Sequence, residues 1–404
     1  MSSSQRDLRP RKTQPTSEAL SKCQANQACT TEATCEEQVK SLPLELISLI
    51  LENLDSPRTL AAASRACRAV QFEAERLLYR EVHMERIRHV RSLHQALTKS
   101  SRRAFFVNAL RVEMTRGLSP VFPLVNDILP LLTNLAHLEI KRYDYGIYKI
   151  VLRTLAKCTF RLRSLESWTV KDSDFVQFLR QQTGLESLSL HRHDSFDWEI
   201  SQEALPHLKY VQTSQRLFVQ HIRGPHAITH LDLSMCELSG QTFAETFRAV
   251  RHRLVSVKCT RHGERRLRRP FWSVISHVLG CGPMPHLKYL EVMDHRSSDS
   301  SFRPFMDGRW RLRGSAIALE TFVWSSMYCR EDFDNAPHTV RGRRAYLRLW
   351  ATEFLKKNSA VERFFHVDRT PTNVLCATLF TLSSDNRLVE EMKDVRDVPV
   401  WTDN

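Results

Sequence analysis

The sequence predicts an α/β fold: a small N-terminal helical module followed by a long array of strand–helix units. Three observations predict it. A run of helix signals begins at residue 41, one apolar template recurs from about residue 105 onward, and amphipathic helix signals lie between its copies.

Residues 1–40 are rich in Ser, Thr, Gln, Lys, Arg and Glu and hold few large apolar side chains. They bury too little to offset chain entropy, so a disordered tail is expected. Cys23, Cys29 and Cys35 recur at six-residue intervals, but nothing nearby completes a metal site. Arg6, Arg9, Arg11 and Lys12 give a weak transit-peptide signal, and Asp7 and Glu18 count against it.

At residue 41 the pattern changes. Ser41 can cap a helix, Pro43 fits its first turn, and Glu45 lies near its positive end. Leu42, Leu46, Leu49, Ile50 and Leu54 follow at helical spacing and form one stripe. Asp55-Ser56-Pro57 ends that helix and opens a second, on which Leu60, Ala61, Ser64 and Cys67 face one way. A third carries Val70, Ala74, Leu77 and Leu78. So small a bundle has too little core to be very stable alone.

The string Leu42-Pro43-x-Glu45-Leu46-x-x-Leu49-Ile50-Leu51-x-x-Leu54, then Leu60, then Ala63-Ser64-Arg65-Ala66-Cys67-Arg68, then Leu77-Leu78-Tyr79-Arg80-x-Val82, resembles the F-box of fungal proteins. The resemblance sets an expected F-box at residues 41–84. One departure stands out: many F-boxes place a Trp after the Cys-Arg pair, where this chain has Ala69, Val70 and Phe72.

The template that follows is an apolar residue, two others, an apolar residue, one other, then usually an apolar one. It reads Val107/Leu110/Val112, Leu135/Leu138/Ile140, Leu165/Trp168/Val170, Leu185/Leu188/Leu190 and Leu208/Val211/Thr213. It continues as Ile228/Leu231/Leu233, Leu254/Val257/Cys259, Leu287/Leu290/Val292, Leu319/Phe322/Trp324 and Val361/Phe364/His366. Middle positions are 28, 30, 20, 23, 20, 26, 33, 32 and 42 residues apart. Most intervals resemble one leucine-rich repeat, or one repeat with an insertion. Between the copies, Phe175, Val176, Phe178 and Leu179 follow Asp172-Ser173, and Phe243, Phe247 and Val250 follow Ser239-Gly240. Phe271, Trp272, Val274, Ile275, Val278 and Leu279 lie between Pro270 and Gly280. Each unit thus reads as strand, connection, helix, the crossover that parallel strands need. The consensus Asn after the strand is absent, so residues 85–366 are expected to form a degenerate leucine-rich-repeat solenoid. Residues 367–404 are expected to be a terminal cap or tail.

The chain carries a formal charge of +14, and residues 251–270 alone supply +7, from eight Lys/Arg against Glu264. Within them Arg261, Arg265, Arg266, Arg268 and Arg269 form a basic patch. It has three readings: a solvated loop, a nuclear-import signal, or a surface for phosphate or an acidic partner. Phe271 and Trp272 follow the run on the apolar face of an expected helix, so they do not read as the stacking positions of a nucleic-acid site. No run of about 18 apolar residues predicts a membrane span. The ten cysteines include no Cys-x-x-Cys pair, and no Asn opens an Asn-x-Ser/Thr sequon. These features point to a reducing intracellular compartment, cytoplasmic or nuclear. No phosphate loop, nucleophile elbow or zincin motif occurs, and no cofactor or metal is expected. His191 and His193 lack the acid or Cys that would complete a metal site.

The F-box resemblance implies a non-catalytic substrate-recognition subunit of an SCF-type ubiquitin ligase. In that family the F-box docks on a Skp-type adaptor, which bridges to a cullin and a RING subunit. The expected adaptor contacts are Leu42, Pro43, Leu46, Ile50, Leu54 and Leu60, with Leu46 and Leu54 open to the alternative of packing within the bundle. An unidentified protein substrate would meet the non-core strand positions Lys141, His191, Tyr210, His230, Asp232, Lys258, Tyr289 and Glu291. Two rival classes are an F-box scaffold with no ligase role and a basic repeat protein that binds nucleic acid or phosphate.

Overall fold

The structure is a computed structural model. It describes residues 42–54, 56–114, 121–142, 151, 153–167, 173–191, 203–214, 218, 222, 227–235, 240–261, 282–294, 318–327, 339–369, 374–394 and 397–398. Ser41, Asp55 and the expected helix at 270–280 lie outside them.

Three short helices come first: α1 (Leu44–Glu52), α2 (Pro57–Ala63) and α3 (Arg68–Arg80). Pro57 opens α2, as a residue without an N–H to spare should. Leu51, Leu60 and Ala74 form the buried centre, with Ile47, Leu54, Ala63, Val70, Leu77 and Leu78 packed around it. Polar side chains tie the helices together as well. Arg76 on α3 donates to Glu73 (2.7 Å) and to Ser48 on α1 (2.9 Å), and Ser48 donates to Glu73 (3.1 Å).

Strand β1 (Glu81–Met84) starts as soon as α3 ends. The expected F-box boundary at residue 84 therefore falls inside the sheet: Val82 pairs with Leu110 of β2 (Ala109–Met114). Eleven further strands extend that sheet in chain order. They are β3 (His137–Arg142), β4 (Ser164–Ser167), β5 (Ser187–Leu190), β6 (Tyr210–Ser214), β7 (His230–Met235), β8 (Ser256–Arg261), β9 (Tyr289–Asp294), β10 (Thr321–Met327), β11 (Arg363–Arg369), β12 (Val374–Leu382) and β13 (Leu388–Lys393). Strands β1 to β11 are parallel, and β12 and β13 return antiparallel. The chain is thus mixed α/β with a thirteen-stranded sheet.

Parallel neighbours must be joined by crossovers. Among the described residues these include α4 (Ile87–Lys99) and α5 (Ser101–Phe106) after β1, and α6 (Phe122–Ile128) after β2. They also include α7 (Ser173–Gln181) after β4, α8 (Gly240–Val250) after β7 and α9 (Thr339–Lys357) after β10. The apolar residues read from the sequence face inward: Phe175, Phe178 and Leu179 on α7, Phe247 and Val250 on α8.

The register explains the repeat. Leu110, Leu138, Leu165, Leu188, Val211, Leu231, Val257, Leu290, Phe322 and Phe364 pair side by side and are all buried. Nine template copies stand in this register, and the third is corrected. Its middle residue is Leu165, with Leu162 before it and Ser167 after it, all buried. Trp168 and Val170 lie outside the described residues. The serine at the third position hid the true frame. At the far end Trp350 and Phe354 of α9 pack on Phe364 and Phe322, with ring centroids 4.8 Å apart in each pair.

At the end of the sheet β11 runs to Arg369, and β12 and β13 form a hairpin with Asn386 in the left-handed region (φ 59°). Asparagine tolerates that backbone better than most residues.

Candidate functional site

Two surfaces carry candidate chemistry. The first is α1. Nine residues, Leu-Glu-Leu-Ile-Ser-Leu-Ile-Leu-Glu, make a helix apolar on two sides. The inner side sends Ile47, Leu51 and Leu54 onto the small core. The outer side leaves Leu46, Leu49 and Ile50 at 47%, 57% and 56% exposure. Glu45, Ser48 and Glu52 lie on the same helix, and its outer apolar side is a candidate contact surface.

The expected adaptor contacts divide on this geometry. Leu42, Pro43, Leu46 and Ile50 are exposed. Leu54 is half-buried against the core. Leu60 is a correction: it is buried with Leu51 and Ala74, because α2 turns that residue toward α3. Leu49, which lay on the stripe but not among the expected contacts, is exposed as well.

The second surface is the sheet face opposite the apolar rows. Strand alternation puts all eight expected substrate-binding residues there. One row runs His83, Arg111, Glu139, Glu166, Ser189, Gln212, Asp232, Lys258 and Glu291 across nine strands. At the β1–β5 end this face is open. Lys141 Nζ lies 2.6 Å from Glu139 and 3.9 Å from Glu166, and Arg111 Nε lies 3.1 Å from Glu139. His191 Nε2 lies 3.0 Å from Glu166 and 3.0 Å from Ser189 Oγ. Burial alone would raise the Glu166 carboxyl, but His191, Lys141 and Arg111 outweigh it and hold it below the usual range. His83, Arg111, Glu139 and Glu166 line a depression of about 440 Å³. Sequence reading missed these four, although Glu139 occupies the same template position as Asp232.

Toward β6–β10 the face closes, and several expected contacts are corrected. Tyr210 stacks at 4.4 Å on His230, which is buried and bonded to Thr229 Oγ1 (2.8 Å). Burial pushes the His230 imidazole down. Asp232 is buried 3.3 Å from Lys258. Burial raises the Asp232 carboxyl; Lys258 opposes that and Glu291 reinforces it. Tyr289 is fully buried and donates to Glu291 (3.1 Å), which also accepts from Ser325 (3.0 Å). The reason is local composition. On β10 to β12 this face carries Val323, Phe365, Val367 and Ala377, which pack with Tyr289 and Val398 into a second core. His230, Asp232, Tyr289 and Glu291 are therefore interior groups, while Lys141 and His191 stay partly exposed.

Arg261 ends β8, and Arg265, Arg266, Arg268 and Arg269 lie outside the described residues, as does His193. One group among the described residues has metal-ligand spacing: His83, Glu85 and Glu113, with ligand atoms within 4.8 Å of one another. The ring faces a different carboxylate with each nitrogen, Glu85 at 3.3 Å and Glu113 at 4.0 Å. Cys158 is buried, and burial pushes its thiol up to about 12, which removes it as a nucleophile. No described helix is long and apolar enough to cross a membrane.

No protein-family model matches the chain, and no curated protein matches it.

Proposed function

We propose that this chain is the substrate-recognition subunit of an SCF-type ubiquitin ligase. In this reading α1 to α3 are an F-box module that binds a Skp-type adaptor, and the sheet with its crossovers is an irregular leucine-rich-repeat solenoid that binds substrate. The chain supplies binding energy and proximity, and the ligation chemistry lies on other subunits, within the cell.

One observation carries the reading: the outer side of α1 presents Leu46, Leu49 and Ile50 half-exposed in a segment whose sequence resembles the F-box. Burying the exposed half of each is worth about 1 kcal/mol, or roughly 3 kcal/mol together before association costs. The open β1–β5 end of the polar face, rather than its closed β6–β10 end, is the proposed substrate surface. The test is adaptor binding by a Leu46→Glu/Ile50→Glu variant beside wild type. The variant should fold and lose binding by about a hundredfold or more, since docking would bury two charges. Unchanged binding would remove α1 from the interface.

A further inference from the structure

Where α3 packs on α5, four arginines meet three glutamates. Glu75 accepts from Arg102 (2.5 Å) and Arg103 (2.7 Å). Glu73 and Glu52 hold Arg76, at 2.7 and 3.4 Å. The arginine left without a carboxylate partner among the described residues is Arg80. It is exposed, and with Arg76 it lines a cavity of about 320 Å³. The rest of the lining is Phe105, Phe106, Asn108 and Asn134, with no acid among them.

The available donors share one character. Arg76 engages Glu73, Ser48 and Glu52 through Nε and Nη2, which leaves Nη1. Asn134 Nδ2 donates to the Phe105 carbonyl (3.0 Å), which fixes that side of the cavity. Asn108 is held by its backbone: its N–H donates to the Arg80 carbonyl (3.0 Å), and its carbonyl accepts from Ala136 and His137. Its side-chain amide makes no bond among the described residues, so it too can turn to a guest. Guanidinium forks and amide N–H groups around a cavity without carboxylates fit an oxyanion. Phe105, 58% exposed, adds a bare aromatic ring to the wall.

We propose that this cavity binds a phosphate monoester, with Arg80 as its main charge partner, Arg76 and Asn108 as further donors, and Phe105 against the organic part. Such a ligand bridges α3 and the entries to β2 and β3, so it ties the helical module to the first strands. The site does not depend on the adaptor reading, and no adaptor enters its test.

The test is calorimetric titration of the full chain with inorganic phosphate and with phenyl phosphate, beside Arg80→Gln and Phe105→Ala. Wild type should bind inorganic phosphate with a Kd on the order of 1 mM. Phenyl phosphate should bind several-fold tighter, an advantage that Phe105→Ala removes. Arg80→Gln should weaken both by about tenfold with an unchanged melting temperature, because the side chain is exposed. Affinity should rise as the phosphate takes its second charge near pH 6. Arg80→Gln binding phosphate as wild type does, or no binding by wild type at roughly 20 mM, would overturn the site. Equal affinity for the two phosphates would overturn the role given to Phe105.

Discussion

Replacing Glu75 by Gln should loosen the helical module from the sheet in a pH-dependent way. The Glu75 side chain is 5% exposed and its two oxygens take Arg102 at 2.5 Å and Arg103 at 2.7 Å. Burial alone would raise this carboxyl, but the two arginines outweigh it and hold it below the usual carboxylate range. A group with a depressed folded pKa stabilises above its unfolded pKa, and that contribution is lost as pH falls through the folded value. The arginines are 46% and 27% exposed, so water can take over part of their solvation when the carboxylate goes. That discounts the loss from the several kcal/mol of a fully buried pair to about 1–2 kcal/mol at neutral pH. Gln keeps the shape and one acceptor, so packing is not disturbed. Hydrogen exchange is the assay, because α3 meets α5 here and α1 and α2 depend on α3. Protection in α1 to α3 should fall roughly five- to thirtyfold at pH 7, with little change in β6 to β9. In denaturant melts the gap between the two proteins should shrink from pH 7 to pH 3. Equal protection in both proteins, or a gap that persists unchanged at pH 3, would show that Glu75 does not anchor the module.

Three further outcomes are expected. Leu165→Ala should cost about 2–5 kcal/mol in denaturant melts, as Leu188→Ala should, because both stand in the buried middle row; a loss under about 1 kcal/mol would undo the corrected third register. Lys258→Met should cost about 3 kcal/mol at pH 8, since it leaves Asp232 and Glu291 facing each other in the interior. Asp232 has a raised folded pKa, so its ionisation penalty is complete above that value and is relieved as pH falls toward the unfolded pKa. The cost of Lys258→Met should therefore shrink toward pH 5, and a cost that grows there would contradict the assignment. In native thiol labelling read by peptide mass, the exposed Cys67 should react while the buried Cys158 and Cys259 stay protected until unfolding.

Much of the strand array was legible because burial on the crossover side demands apolar residues at fixed offsets. Leu110, Leu138 and Leu188 announce themselves in that way. Leu165 did not, because Ser167 follows it where the template calls for an apolar residue. Strand β1 was hidden because Val82 also completes the F-box-like string, and one residue can serve both. The terminal hairpin carried a signal that went unread: Asp385-Asn386 between two alternating segments is turn chemistry. For the polar face, alternation fixed which way Tyr289 and Glu291 point, but not that β10 to β12 turn that face apolar and enclose them with Val398. On α1, helical spacing found a stripe yet could not divide Leu54 from Ile50. That division depends on where α2 and α3 lie.

Co-purification from cells of the wild-type chain beside the Leu46→Glu/Ile50→Glu variant, scored for adaptor and cullin together, tests the receptor reading most directly. Wild type should retain both, and the variant neither while keeping its melting temperature. A folded wild-type chain that retains no adaptor would contradict the F-box reading, and one that retains adaptor without cullin would contradict the ligase reading.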